Sequence, residues 1–143
     1  MIMKKGIIRH LSADSLRRRT PLVAVLALLA APVVAQSPAI PVLDGLAKGA
    51  WTLRDREDGT ILSVCLRTGR ELIQLRHVQP GCSQAVVAEK PGEVTVQYTC
   101  PGNGYGRTVI RREGSDLVQI RSQGIHNGLP FSIEGEARRT GGC

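Results

Sequence analysis

All four cysteines of this chain, Cys65, Cys82, Cys100 and Cys143, lie downstream of a basic stretch that runs into a short apolar segment. That order constrains the fold more than any other feature. A chain led out of the cytoplasm reaches an oxidising compartment, where cysteines close into disulfides and staple cores too small to hold alone. Four cysteines allow three pairings. The spacing favours Cys65 with Cys82, bracketing a short helical stretch, and Cys100 with Cys143, tying down the tail.

Residues 1–20 carry Lys4, Lys5, Arg9, Arg17, Arg18 and Arg19 against one acid, Asp14. The apolar run Leu22–Val34 follows, and Val33 and Ala35 place small residues at −3 and −1 of a cleavage site after Ala35. The pattern predicts a secretory signal peptide over residues 1–35. A membrane span needs about 20 apolar residues, and this run is shorter and contains Pro32. The triplet Arg17-Arg18-Arg19 leaves a twin-arginine export route as an alternative. Because the first cysteine is Cys65, no lipid attachment site follows the apolar run, and the expectation is a periplasmic or secreted protein without a stable membrane anchor.

Cleavage changes the electrostatics. The chain has 19 basic and 12 acidic residues, of which the leader holds six and one, so the remaining 108 residues have a net charge of only +2. Nucleic-acid binding wants a clustered basic face on the folded domain. The pairs Arg111-Arg112 and Arg138-Arg139 are too short for that and read as solvated strand ends.

The mature chain reads as one domain. Residues 36–48, rich in proline and glycine, look like a leading arm before a domain over 49–143. From Trp51 the pattern alternates. Asp58-Gly59 turns between two strand-like runs, a hairpin signal. Thr68-Gly69-Arg70-Glu71 fits a capping box opening a helix over about residues 69–77, which Pro80-Gly81 ends. After Cys82 the period is two: Ala85–Glu89, then Val94, Val96, Tyr98 and Cys100, then residues 107–113, 116–121 and 129–134, with turns at Lys90-Pro91-Gly92 and Gly114-Ser115. The expected fold is mainly β, an antiparallel meander of six to eight strands forming a curved sheet or partly closed barrel, with one short helix.

The chemistry-bearing residues are sparse. There is no C-x-x-C and no paired histidine spacing for a metal, and no pattern that asks for a cofactor. Gly102, Gly104 and Gly106 lie between strands rather than at the start of a helix, so they form a turn rather than a phosphate cradle. Ser63, Ser83 and Ser132 lack a nucleophile frame. Asp55, Glu57 and Asp58 sit at a hairpin tip, where solvation explains them. His77 follows the predicted helix, where its imidazole suits the negative end of the dipole. His126 lies in a turn-rich segment, Gly124–Gly128, that reads as a loop or a pocket rim. No catalytic set emerges.

Several residues together resemble a family of small exported proteobacterial proteins known only as domain of unknown function 3617. They are Gly49 and Trp51, Cys65, Leu72-Ile73-Gln74, Cys82, Tyr98-Thr99-Cys100, Gly104-Tyr105-Gly106-Arg107 and Cys143. Ser122-Gln123-Gly124-Ile125 and Leu129-Pro130-Phe131 resemble its sphingomonad-type variant. The resemblance implies an exported, disulfide-bearing β-rich domain and brings no activity. The expectation is a non-enzymatic domain of the cell envelope that binds a small apolar ligand or a partner. The alternatives are a protein-binding or inhibitor module and, less favoured, a hydrolase of envelope components.

Overall fold

The computed structural model describes residues 38–143, so the predicted signal peptide and its cleavage site lie outside the described residues. Seven antiparallel strands form one sheet: β1 (Gly49–Asp55), β2 (Ile61–Leu66), β3 (Ser83–Lys90), β4 (Glu93–Cys100), β5 (Gly104–Arg112), β6 (Leu117–His126) and β7 (Leu129–Gly141). Their order is β2-β1-β7-β6-β5-β4-β3, which leaves β2 and β3 as edges. The expected mainly β, antiparallel architecture is present, and the sheet does not close. Two strands outrun the alternation that announced them. β6 continues to His126 and β7 to Gly141, where it pairs with β1. The connection between them is Asn127-Gly128, both with positive φ (51° and 78°), the two-residue turn whose twist suits a hairpin.

One face of the sheet is buried. Trp51, Leu53, Val94, Val96, Tyr98, Ile110, Val118, Ile120 and Ile133 point into it. Two segments cover them. The first is the stretch expected to be a leading arm, which is instead core. Helix α1 (Pro41–Asp44) and its flanks bury Ile40, Val42, Leu43 and Leu46, each worth about 1.5–3 kcal/mol. Pro41 starts the turn and Asp44 accepts a hydrogen bond from the Ile40 amide at 3.0 Å. The indole of Trp51 donates to the Ala47 carbonyl at 2.9 Å, anchoring the segment to β1.

The second cover is the crossover between β2 and β3, residues 67–82. The helix expected over 69–77 is absent; a 3-10 turn at Arg70–Leu72 and further turns replace it. The hydrogen bonds follow the turns instead of a helix. An α-helix would use the Ile73 carbonyl for the His77 amide. Here the buried Thr108 hydroxyl donates to that carbonyl, and the His77 amide bonds Gln74 at 2.8 Å instead. The capping box forms only in half. The Glu71 carboxylate accepts from the Thr68 amide and hydroxyl, whereas the Thr68 hydroxyl accepts from Arg70 rather than Glu71. A marginal helix of this length yields to such tertiary contacts.

The disulfides also differ from the favoured pairing. Cys65 joins Cys143, and Cys82 joins Cys100. Ser83 is registered with Thr99, so Cys82 and Cys100 face each other one step further along the β3–β4 hairpin. Cys65, Ala50 and Gly141 lie in one row across β2, β1 and β7, and Cys143, two residues on, reaches back over Ala50.

Candidate functional site

The buried face of the sheet is filled by the protein's own side chains. Trp51, Leu53, Tyr98, Ile110 and Ile120, with Leu72 and Ile73 above them, are at most 1% exposed. An enclosed pocket for a small apolar molecule, expected of a curved sheet with a lid, has no room on that face.

Beneath the crossover runs a chain of buried polar groups. His77, fully buried, meets the Tyr98 hydroxyl through Nδ1 at 3.0 Å. Its Nε2 faces the carbonyls of Ile125 at 3.1 Å and Asn103 at 3.3 Å, so it carries the hydrogen and Nδ1 accepts from Tyr98. Beside it, the Ser122 hydroxyl is 2.7 Å from that of Thr108, which donates to the Ile73 carbonyl. Burial pushes the Tyr98 phenol up, against the opposing pull of Ser122. Together these bonds tie the crossover to β4 and β6 at His77 and to β5 at Ile73. His77, expected to follow a helix and complement its dipole, is instead a buried clamp. It does have a hydroxyl within 3 Å, as a hydrolase would require, but both groups are sealed from solvent and no substrate can reach them.

Tyr98 lies across β5 because Gly106 makes room for its ring, while Gly124 opposite lets the β5 backbone approach closely. Gly106 is registered with Gly124, and a Cβ on Gly106 would sit 2.5 Å from the Tyr98 ring and hydroxyl. Gly104 and Gly106, read from sequence as part of a turn, thus open strand β5; the turn itself is Pro101–Asn103. Gly106→Ala is expected to cost about 1–3 kcal/mol by overpacking, read in urea unfolding; a change within experimental error would mean Tyr98 has slack.

His126 ends β6, with its ring 4.7 Å from that of His77. Burial, then the proximity of His77 and Arg76, lowers its pKa below the ordinary value of 6.5. The unfolded chain then takes up the proton more readily than the folded one. The contribution is intact above about pH 6.5 and is lost as pH falls through the lower folded value. The thermal midpoint is expected to drop between pH 7 and 5, and His126→Gln to flatten that part of the profile; an unchanged profile would remove His126 as the titrating group. Glu136, held low by Arg138 and Gln119, and Asp58, held low by Thr60, titrate in a more acidic window.

The sheet has an open seam between its edges. A groove of about 610 Å³ is lined by Leu62 and Val64 of β2, Leu75 and Val78 of the crossover and Gln84 of β3, together with Arg67 and Gln74. Val78 is 91% exposed although apolar. Gln84 donates to Gln74 at 3.1 Å, and Gln74 donates to the carbonyls of His77 and Gln79, so a polar brace sets this wall. Neither edge strand is covered along its length: every residue of β3 is exposed or half-buried, Val86 and Val87 among the exposed.

The other sequence candidates are scattered. Ser63 lies on β2, Ser83 on β3 and Ser132 on β7, none hydrogen-bonded to a histidine among the described residues. Asp55, expected to be solvated, is buried (6% exposed) and holds the hairpin by accepting from the Glu57 amide at 2.9 Å, while Asp58 accepts from Thr60 at 2.8 Å. Arg111, Arg112, Arg138 and Arg139 are exposed, and Arg111 and Arg138 pair with Glu113 and Glu136. No group of three or more His, Cys, Asp or Glu that could hold a metal occurs among the described residues, and none of their helices is long and apolar enough to cross a membrane. Sequence reasoning missed the seam altogether. Its signal was the uncharged edge strand Ile61–Leu66 joined by a long connection to a second strand that had to lie elsewhere in the sheet. No protein-family model matches the chain, and no curated protein or solved structure is significantly similar to it.

Proposed function

We propose that this chain is an exported domain of the cell envelope whose work is to bind a protein partner. One observation carries the choice of partner over small ligand: the interior is filled while the seam keeps Leu62, Val64, Leu75 and Val78 at a solvent-open groove rimmed by polar and charged side chains. An exposed apolar surface of this kind suits a protein interface. Export is supported by the basic-apolar leader and by the closing of all four cysteines into two disulfides. The resemblance to the exported proteobacterial family agrees with this, and the near-neutral mature charge makes a nucleic-acid role unattractive. Two disulfides give a scaffold that loses little conformational freedom on binding.

The test uses the full chain expressed with its own leader. Periplasmic material should have the intact mass of residues 36–143 with two disulfides. Affinity isolation should bring down one protein in stoichiometric amount that survives a salt wash. Retention of the leader with free thiols would remove the export reading. A stoichiometric lipid with no protein would remove the partner reading.

A further inference from the structure

We propose that the seam takes one extended strand of the partner, running antiparallel to both β2 and β3, and that this eighth strand closes the sheet. The inference rests on the partner-binding reading and gives it a place and a chemistry.

Strand parity supplies the first reason. Six successive antiparallel pairings link β2 to β3, so the two edges run in the same direction. They cannot close on each other as antiparallel neighbours. A single strand laid between them, opposite in direction to both, pairs with each. Unpaired edge groups are a template for such addition.

The edges are also poorly defended. β2 (ILSVCL) holds no charge and no proline, and β3 (SQAVVAEK) holds charges only at its far end. The bulge between Val86 and Ala88 and the charged end Glu89-Lys90 are the protective devices on β3, and β2 carries neither. The groove then specifies its occupant. Alternate side chains of the added strand would face Leu62, Val64, Leu75 and Val78, so they should be apolar. The Arg67 guanidinium, just past the end of β2, is exposed and makes no ion pair among the described residues; the nearby Glu71 carboxylate is occupied by the Arg67 and Thr68 amides and the Thr68 hydroxyl. Because the strand runs against β2, its N-terminal end lies at Arg67. The partner segment should therefore open with Asp or Glu and continue with alternating apolar residues.

The disulfide offers a direct test. Cys143 is bonded to Cys65, itself in the groove wall near the end of β2 where the added strand must begin. A short Gly-Ser linker after Cys143, followed by Glu-Val-Thr-Val-Thr-Val-Thr, presents that strand at an effective concentration in the millimolar range. Hydrogen exchange of the fused protein should slow by about tenfold or more at edge amides of both β2 and β3, and a proline in place of the central valine should abolish the effect. Unchanged exchange, protection of one edge alone, or a concentration-dependent dimer joined through β3 would overturn the proposal. In the full chain, Val78→Glu with Arg67→Glu, both exposed, should retain the disulfides and melting temperature and lose about tenfold or more of the isolated partner. Full retention of the partner would leave the partner-binding reading standing and remove the seam. If the wild-type chain brings down no partner, the general reading falls, while protection of both edges by the fused strand still supports the seam.

Discussion

Replacing Cys65 and Cys143 together by serine is expected to lower stability by about 4.5 kcal/mol, against about 3 kcal/mol for the Cys82–Cys100 pair. The difference follows from the separations of 78 and 18 residues, since a longer loop loses more freedom in the unfolded chain when it is closed. Against a total of roughly 5–15 kcal/mol for a domain of this size, either loss is large. Denaturant unfolding of the oxidised variants checks the order. The pair should be removed whole, because a lone Cys65 invites exchange with the other disulfide. The long link also ties edge strand β2 to the end of β7 over Ala50. Exchange of the β2 amides should therefore rise in the Cys65/Cys143 variant and stay near wild type in the Cys82/Cys100 variant. A larger loss from the short loop would mean that the native staples do something other than restrict the unfolded chain.

The disulfide pairing shows how near the sequence came and where it stopped. The turn Lys90-Pro91-Gly92 was legible, and a regular hairpin built on it places Cys100 opposite Ser83. The extra residue in the bulge between Val86 and Ala88 shifts the register and brings Cys82 opposite Cys100. A bulge leaves almost no signal in a run such as Ala85-Val86-Val87-Ala88, so the pairing could not be read. The alternation of Val94, Val96, Tyr98 and Cys100, by contrast, records burial directly and was read correctly. Residues 40–46 were misjudged because two prolines and a glycine outweighed their apolar spacing. The predicted helix gives way to turns packed against the sheet, with the Thr108 hydroxyl on the Ile73 carbonyl, contacts between distant residues that no local pattern encodes. The seam belongs to the same class. It depends on which strands end up as edges, a property of sheet order rather than of any segment.

His77→Phe is expected to cost about 2–4 kcal/mol, comparable to loss of the short disulfide. The substitution keeps a ring against Tyr98, His126 and Phe131, whose centroids lie 5.3, 4.7 and 5.7 Å away. What it removes is the hydrogen bonding of both nitrogens in a site with no access to water. Leaving buried partners unsatisfied costs about 1–3 kcal/mol each, and here the loss is softened because the Asn103 carbonyl still accepts from the Asn127 amide. Tyr98→Phe in the same background should then cost less than it does alone, with a coupling of about 1 kcal/mol between the two sites. Residues 74–77 should exchange faster while the centre of the sheet does not, because His77 fastens the crossover and not the strands. That crossover supplies Leu75 and Val78 to the groove. If the seam binds a strand as proposed, His77→Phe should weaken binding without touching the groove itself, whereas a variant that melts like wild type would show that His77 is not the fastening of that wall.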